Sequence, residues 1–556
     1  MSSEQSDTSP APANDSGLPH WEMHLCFVCM LLPWLNPFAG GPSSWVQPWL
    51  FSAACCALSI MLLRPGFANP TVALGLATMA ALALVRTGWT GEAVALVGAC
   101  LLIYLWAGLA GMAGGRAALS DAVAMAWLVA AAASAAMGLI QYFGVAERFA
   151  PWVSLSSAGE AIGNLRQRNQ FATLTVIGMA ASLWLVPRRL SPRAALVLMA
   201  WLAIGNAATT SRTGLAEIIL LALLAFVWPG ARRQRALLWL GALCAYALAA
   251  LALPMLLEAA TGIDGNALWQ RVAAADSCSS RRVLWTNVLH LIAQQPWLGW
   301  GWGELDYAHF ITLYEGPRFC DILDNAHSLP LHLAVELGIP AALLACAALL
   351  WAVLCTRPWR ECEPARQMAW AVLVVIGVHS LLEYPLWYGP FQMAAGLCLG
   401  ILWPRRGAQT DGLLGRATAG ALAVSLAAVC AYAAWDYHRV SQIYLPVESR
   451  AAAFQDDPLP MIRKSWLFRN QARFAELTIT SVSRANAPWV HDTALALLHY
   501  SPEPRVIEKL IESETLLGLD QEATGHLQRL RAAFPEAYDA WSQAQRKPAL
   551  AASQVD

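Results

Sequence analysis

The sequence predicts an all-α protein: a polytopic bundle of about 13 transmembrane helices, a long loop on its outer side and a small helical soluble domain at the C-terminus. Three observations predict it. Of 556 residues, 57% are apolar and 13% charged, roughly half the charged share of about 25% usual in soluble domains. The mean hydropathy is +0.46. Apolar runs near the length of about 20 residues needed to cross a hydrocarbon core recur until about residue 435 and then stop. The formal charge of −1 leaves no global basic surface, so nothing points to a nucleic-acid partner.

Taken in order, residues 1–20 are rich in Ser, Pro, Asp and Asn and read as a disordered cytoplasmic tail. Spans are expected near 21–38, 47–63, 70–86, 92–113, 122–143, 169–187, 194–209, 214–229, 236–257, 328–355, 366–382, 387–404 and 414–435. The first apolar run has neither a basic n-region nor a small-residue cleavage site, so no cleavable signal peptide is expected. Residues 21–437 form the expected membrane domain, with 258–327 its large outer loop, and 438–556 the helical domain. In that last part charge rises, and 504–517 and 521–534 carry helical periodicity with polar faces.

Arginine sets the orientation. With the N-terminus inside, the inner loops hold Arg64, Arg116, Arg188, Arg189, Arg193, Arg232, Arg233, Arg235, Arg357, Arg360, Arg366, Arg405, Arg406 and Arg416, as the positive-inside rule requires. Isolated arginines break the trend on the outer side, among them Arg166, Arg168, Arg212, Arg271, Arg281, Arg282 and Arg318. Each invites a local cause, either salt bridging and snorkelling or an anion site.

The outer loop of about seventy residues is too long for a mere connector. Ser280 is a natural N-cap, which places Arg281 and Arg282 in a first helical turn. Cations there oppose the helix dipole unless an anion is held, and free N–H groups with two guanidiniums suit a phosphate. The glycines and tryptophans of 296–304 alternate and read as an interfacial turn, a wall for a lipid-linked substrate. Asn325, His327 and Ser328 close the loop, with Ser328 as N-cap of the next span and Pro330 in its first turn. His327 then sits at a helix N-terminus, where a neutral ring can accept a proton.

Two more outer stretches concentrate polar groups. Asn164, Arg166, Gln167, Arg168, Asn169 and Gln170 lie at the mouth of span six, suited to sugar or phosphate or else an ordinary capped loop. Glu383, Tyr384, Trp387 and Tyr388 lie between spans eleven and twelve. Most cysteines sit in apolar runs, where they act as small hydrophobes. Cys278 and Cys320 instead share the polar loop and are a candidate disulfide, which an oxidising compartment would permit. No zinc site is expected from the cysteines.

Arg281 and Trp285, then Pro296, Gly299 and Gly301, then Asn325–Ser328, resemble the core of the O-antigen ligase superfamily. The runs 163–170 and 383–388 resemble its narrower branch, the bacterial protein O-oligosaccharyltransferases of the PglL type. The resemblance covers residues 20–435, and the soluble extension also suits that branch. It implies en bloc transfer of an oligosaccharide from undecaprenyl pyrophosphate to Ser or Thr of an exported or pilin-type protein. Transfer would occur on the periplasmic face of the bacterial inner membrane, by inversion and without metal, nucleotide or other cofactor. By resemblance, His327 matches the essential histidine, and Arg212 (in Ser211–Gly214) and Arg281 match arginines that engage the pyrophosphate. Gln167 and Tyr384 match polar positions of the branch, with Tyr388 the alternative to Tyr384. Ser328 departs from the Asn-His-Asn trio of other members. Arg168, Asn164, Arg282, Asn325 and Glu383 join these as candidate substrate-binding residues. Rival readings are an O-antigen ligase acting on lipid A–core, a polymerase of lipid-linked glycan and, from another class, a polytopic transporter of lipid-linked glycan. A transporter should show internal repeats and polar groups at the midplane, whereas the candidate groups here cluster at one interface.

Overall fold

The computed structural model describes residues 20–38, 41–63, 67–111, 116–186, 188–263, 278–404 and 413–552. The expected tail, Arg64, Arg271, Arg405 and Arg406 lie outside them. Among the described residues the elements are all helical, without strands.

The chain begins with α1 (His20–Leu35), α2 (Val46–Leu63), α3 (Pro70–Thr87), α4 (Gly91–Ala110) and α5 (Arg116–Tyr142). Then come α6 (Arg168–Leu185), α7 (Pro192–Ala208), α8 (Arg212–Val227) and α9 (Arg232–Thr261). Several starts are capped by side chains that favour that position: Asn69, Thr90, Ser191 and Ser211 each accept a backbone N–H of the first turn. The outer loop carries α10 (Arg281–Gln294) and α11 (Leu305–Ile311). After it come α12 (Leu329–Leu337), α13 (Ile339–Thr356), α14 (Pro364–Leu382), α15 (Gly389–Leu402) and α16 (Leu413–Ser441).

Among the described residues eight helices are long and apolar enough to cross a membrane. The other expected spans are present as helices but fall short of that measure. Three are short apolar helices, within α1, α7 and α15. In α6 nearly every side chain is buried by protein, so its surroundings place little demand on lipid-like hydropathy, and α8 is 16 residues long with a buried Glu217. By contrast α3 and α13 bury only Ala83 and Ala342 respectively, as befits helices surrounded by lipid.

The expected single span 328–355 is broken. Gly338, at φ 89°, separates α12 from α13. The glycine–tryptophan segment causes the break by docking onto it: Trp300 N donates to Val335 O, Gly301 N to Glu336 O and Ile339 N to Pro296 O. A Cβ on Gly338 would stand 2.2 Å from Trp297 O, and one on Gly299 2.4 Å from Glu336 O. Only glycine allows backbones so close.

After α16 come the short α17 (Leu459–Ile462), then α18 (Arg469–Ile479), α19 (Ala487–Leu498), α20 (Pro504–Leu517), α21 (Asp520–Ala533) and α22 (Pro535–Ala552). Val490, Leu497, Val506, Ile507, Leu510 and Leu530 form their apolar core, and Phe310 of α11 joins it. His499 reinforces the docking by pairing with Glu304 at 2.6 Å and stacking on Tyr307 at 3.8 Å. Arg529 donates to Ile311 O. The C-terminal helices therefore sit on the same end of the bundle as the outer loop.

Candidate active site

Four helix termini meet at that end: the N-termini of α6, α8 and α10 and the C-terminus of α14. Glu383, which caps α14, is the hub. Its Oε1 accepts from Asn169 Nδ2 at 3.0 Å and from Arg281 Nη2, and its Oε2 lies 3.0 Å from His327 Nδ1. Asn169 Oδ1 in turn accepts from Ser211 Oγ at 2.6 Å. Ser211 caps α8 immediately before Arg212, so one polar chain joins Arg212's helix terminus to His327. The Glu383 side chain is 9% exposed, against 28% for His327 and 30% for Arg281. The carboxylate is thus inside while its two partners reach solvent.

Burial alone would raise the Glu383 carboxyl, but the His327 hydrogen bond and the Arg281 guanidinium outweigh it and hold the group below the usual carboxylate range. A carboxylate on Nδ1 makes that nitrogen the donor and leaves the Nε2 lone pair free to accept a proton. The backbone helps to aim the ring. His327 adopts φ 48°, with its N–H held by Asn325 Oδ1 at 2.9 Å. Thr210, beside Ser211, is likewise at φ 50°. Left-handed non-glycine residues are uncommon and gather at functional sites.

Of the two candidate tyrosines, Tyr384 is the one edge-on to His327, with ring centroids 5.1 Å apart. Burial pushes its hydroxyl well up, out of the range where it ionises. Tyr388 stacks behind it.

The arginines expected on the outer side divide. Arg166 binds the carbonyls of Pro37 and Phe38, and Arg318 those of His309 and Thr312, so both tie loops together. Arg168 pairs with Glu160 at 3.0 Å. Arg281 enters the hub, while Arg282 and Arg212 are exposed. The expected double-guanidinium cradle from Arg281 and Arg282 is therefore split between site and solvent, because successive helical residues point about 100° apart.

Gln167 caps α6 through Gln170 N at 2.6 Å. Asn164 is buried and occupied by Ser154 N, Leu35 O and Trp152 O, which makes it a loop staple. Ser328 begins α12 without a side-chain cap bond, its expected role being taken by the chain's geometry and Pro330. Cys278 and Cys320 form a disulfide with Cα atoms 5.5 Å apart, closing the segment that carries Arg281.

Sequence reading missed Asn169 and Ser211 as bridging residues. Each stood inside a quoted motif, but only the fold shows that one helix mouth faces the other.

Three family models match: "O-Antigen ligase" over residues 194–346, "Protein glycosylation ligase" over 161–186, and "Virulence factor membrane-bound polymerase, C-terminal" over 367–549. A general O-oligosaccharyltransferase of Acinetobacter baylyi is 25% identical over 262 residues, 44% of this chain and 44% of that protein. The match thus spans less than half the length of that relative. Fold and site describe a polytopic helical membrane protein, and the family matches show its similarity to the O-antigen ligases over residues 194–346. Its similarity to the protein glycosylation ligases lies in residues 161–186 and in the partial match to the Acinetobacter baylyi protein.

Proposed function

We propose that this chain transfers an oligosaccharide en bloc from undecaprenyl pyrophosphate to Ser or Thr hydroxyls of exported, pilin-type proteins. In this reading the bundle crosses the bacterial inner membrane thirteen times, with α12 and α13 forming one crossing. The site and the C-terminal domain from about residue 438 face the periplasm. The arginine asymmetry supports that orientation, since Arg188 and Arg189 pair with Asp121 at the end of α6 opposite to the site.

The observation that carries the proposal is the convergence of His327, Glu383 and Arg281 beside the helix terminus of Arg212. The acceptor oxygen attacks the anomeric carbon as the bond to the pyrophosphate oxygen breaks. The hydroxyl proton passes to His327 Nε2, and undecaprenyl pyrophosphate leaves with the bonding pair. Charge grows on the leaving group, where Arg212 and Arg281 stabilise it. Glu383 orients the ring and accompanies the imidazolium as it forms. In-line attack inverts the anomeric configuration. Gln167 and Tyr384 are assigned to contacting the glycan or the acceptor.

A second reading, transfer to lipid A–core, is favoured by one observation: the "O-Antigen ligase" match spans Arg212, Arg281 and His327 alike. Reconstitution with lipid-linked oligosaccharide and separate pilin, lipid A–core and glycolipid acceptors decides between them. A mass increase on the pilin alone is the expected result; a mass increase on lipid A–core alone overturns the protein-acceptor reading.

A further inference from the structure

Below the site, inside the bundle, lies a polar trio that the mechanism does not use. Thr173, Glu217 and His379 are each 0% exposed. The Thr173 hydroxyl donates to Glu217 Oε1 at 2.9 Å and lies 2.9 Å from His379 Nδ1. With the hydroxyl proton committed to Glu217, His379 must donate Nδ1–H to the same oxygen. Glu217 Oε2 and His379 Nε2 have no hydrogen-bond partner among the described residues.

A carboxyl, a hydroxyl and an imidazole in an apolar bundle are costly, and well-packed apolar side chains would often be at least as stable. Their placement gives them a purpose. Thr173 is on α6, four residues after Asn169; Glu217 is on α8, five after Arg212; His379 is on α14, four before Glu383. Each therefore stands about one helical turn, roughly 6 Å, beneath a residue of the site on its own helix. Glu383 N also donates to His379 O at 2.8 Å. A neighbouring contact continues the stitching: Asn206 of α7 donates to Ala172 O and Thr175 Oγ1, and Gly214 of α8 packs directly on Ala172 and Asn206.

We infer that Thr173, Glu217 and His379 form a clasp of positioning residues that sets the register of α6, α8 and α14, so that Asn169, Ser211 with Arg212, and Glu383 meet at the outer face. The inference rests on the transferase reading for its kinetic consequence, but not for its structural one. A polar chain in which Asn169 bridges Glu383 at 3.0 Å and Ser211 at 2.6 Å tolerates little sliding of its three helices, and a misplacement of about 1 Å can cost on the order of 10²-fold in rate.

The test uses the purified full-length chain with Thr173→Val, Thr173→Ser, Glu217→Leu and Glu217→Gln. Valine keeps the shape and loses the hydroxyl; serine restores it. Glutamine keeps an acceptor for Thr173; leucine does not. Hydrogen–deuterium exchange should rise about tenfold at 209–215 and 383–388 in the Val and Leu variants, remain at the wild-type level in the Ser and Gln variants, and be unchanged at 487–533 in all four. In the transfer assay, kcat should fall about 10–100-fold in the Val and Leu variants, with the donor KM within about twofold of wild type, and recover in the Ser and Gln variants. A merely structural defect would loosen the whole chain and would not be rescued selectively by the hydroxyl or the amide. Wild-type exchange at both segments in Thr173→Val and Glu217→Leu overturns the clasp. Wild-type protein inactive toward every acceptor would instead count against the transferase reading, and the exchange data would still decide the clasp.

Discussion

Replacing Glu383 by Gln perturbs the site at its centre, and the geometry fixes the consequence. The carboxylate accepts from Asn169 and Arg281 on one oxygen and from His327 Nδ1 on the other. Glutamine keeps one acceptor and turns the other into a donor. With its carbonyl toward Asn169 and Arg281 it satisfies two donors; reversed, it satisfies one and sets its amide N–H against two others. The first orientation prevails and points N–H at His327 Nδ1. That nitrogen must then accept, so the ring proton moves to Nε2, the atom assigned to take the acceptor's proton. General-base assistance of about 10²–10⁴-fold is lost, and kcat should fall by that factor. The donor KM should rise by less than about tenfold, because both guanidiniums keep their charge. Transfer to a pilin acceptor in nanodiscs, followed by intact mass over a range of donor concentrations, separates the two constants. A Glu383→Gln enzyme with kcat within about threefold of wild type would refute the assignment of Nε2 as base.

Other outcomes follow from the same structure. Arg281→Ala should abolish detectable transfer without loss of membrane insertion, and Arg212→Lys should raise the donor KM by about tenfold, since lysine loses the bidentate fork; single-turnover rates over a range of donor concentrations check both. Because Glu383 is held below its ordinary value of 4.5, its ionised pairing stabilises the fold above the unfolded value and is lost as pH falls through the folded one. The unfolding midpoints of wild type and Glu383→Gln should therefore differ above about pH 5 and converge below about pH 4.5. Cys278→Ser should destabilise the loop by about 4 kcal/mol in the chain-entropy limit, read as faster proteolysis between residues 278 and 320. Gly338→Ala should lower the yield of folded protein, because its Cβ would stand 2.2 Å from Trp297 O.

Much of the helical plan was legible because membrane helices are written in long apolar runs, with the cap Ser280 marking the start of α10. What hydropathy could not reveal was the break at Gly338. It comes from a tertiary contact, the backbone of 296–301 docking on α12, and a single apolar run conceals it. Arg212, Arg281, His327 and Glu383 were legible as polar residues held at one interface. Their mutual arrangement was not: Arg281 and Glu383 are 102 positions apart, and nothing local marks Asn169 as the bridge between them. Asn164 shows the opposite failure, since a polar loop residue reads the same whether it faces substrate or staples backbone. Thr173, Glu217 and His379 stood within expected spans, where an ionisable residue is itself a signal.

The pairing of Arg281 with Glu383 bears on how binding could become catalysis. A guanidinium shared with a buried carboxylate attracts a diphosphate less than a free one does, so it contributes little to holding the intact donor. As the glycosidic bond breaks, negative charge grows on the leaving oxygen while His327 becomes cationic and draws more of Glu383's charge toward Nδ1. Both changes release Arg281 toward the leaving group at the moment its charge is greatest. Interactions that strengthen only in the transition state raise kcat without deepening the ground state. Arg212, exposed and in no ion pair among the described residues, is placed for the complementary task of holding the donor from the start. The two arginines should therefore separate kinetically: loss of charge at Arg212 should weigh on the donor KM, and loss at Arg281 on kcat. Equal effects of Arg212→Gln and Arg281→Gln on both constants would show that the Glu383 carboxylate does not divide their roles.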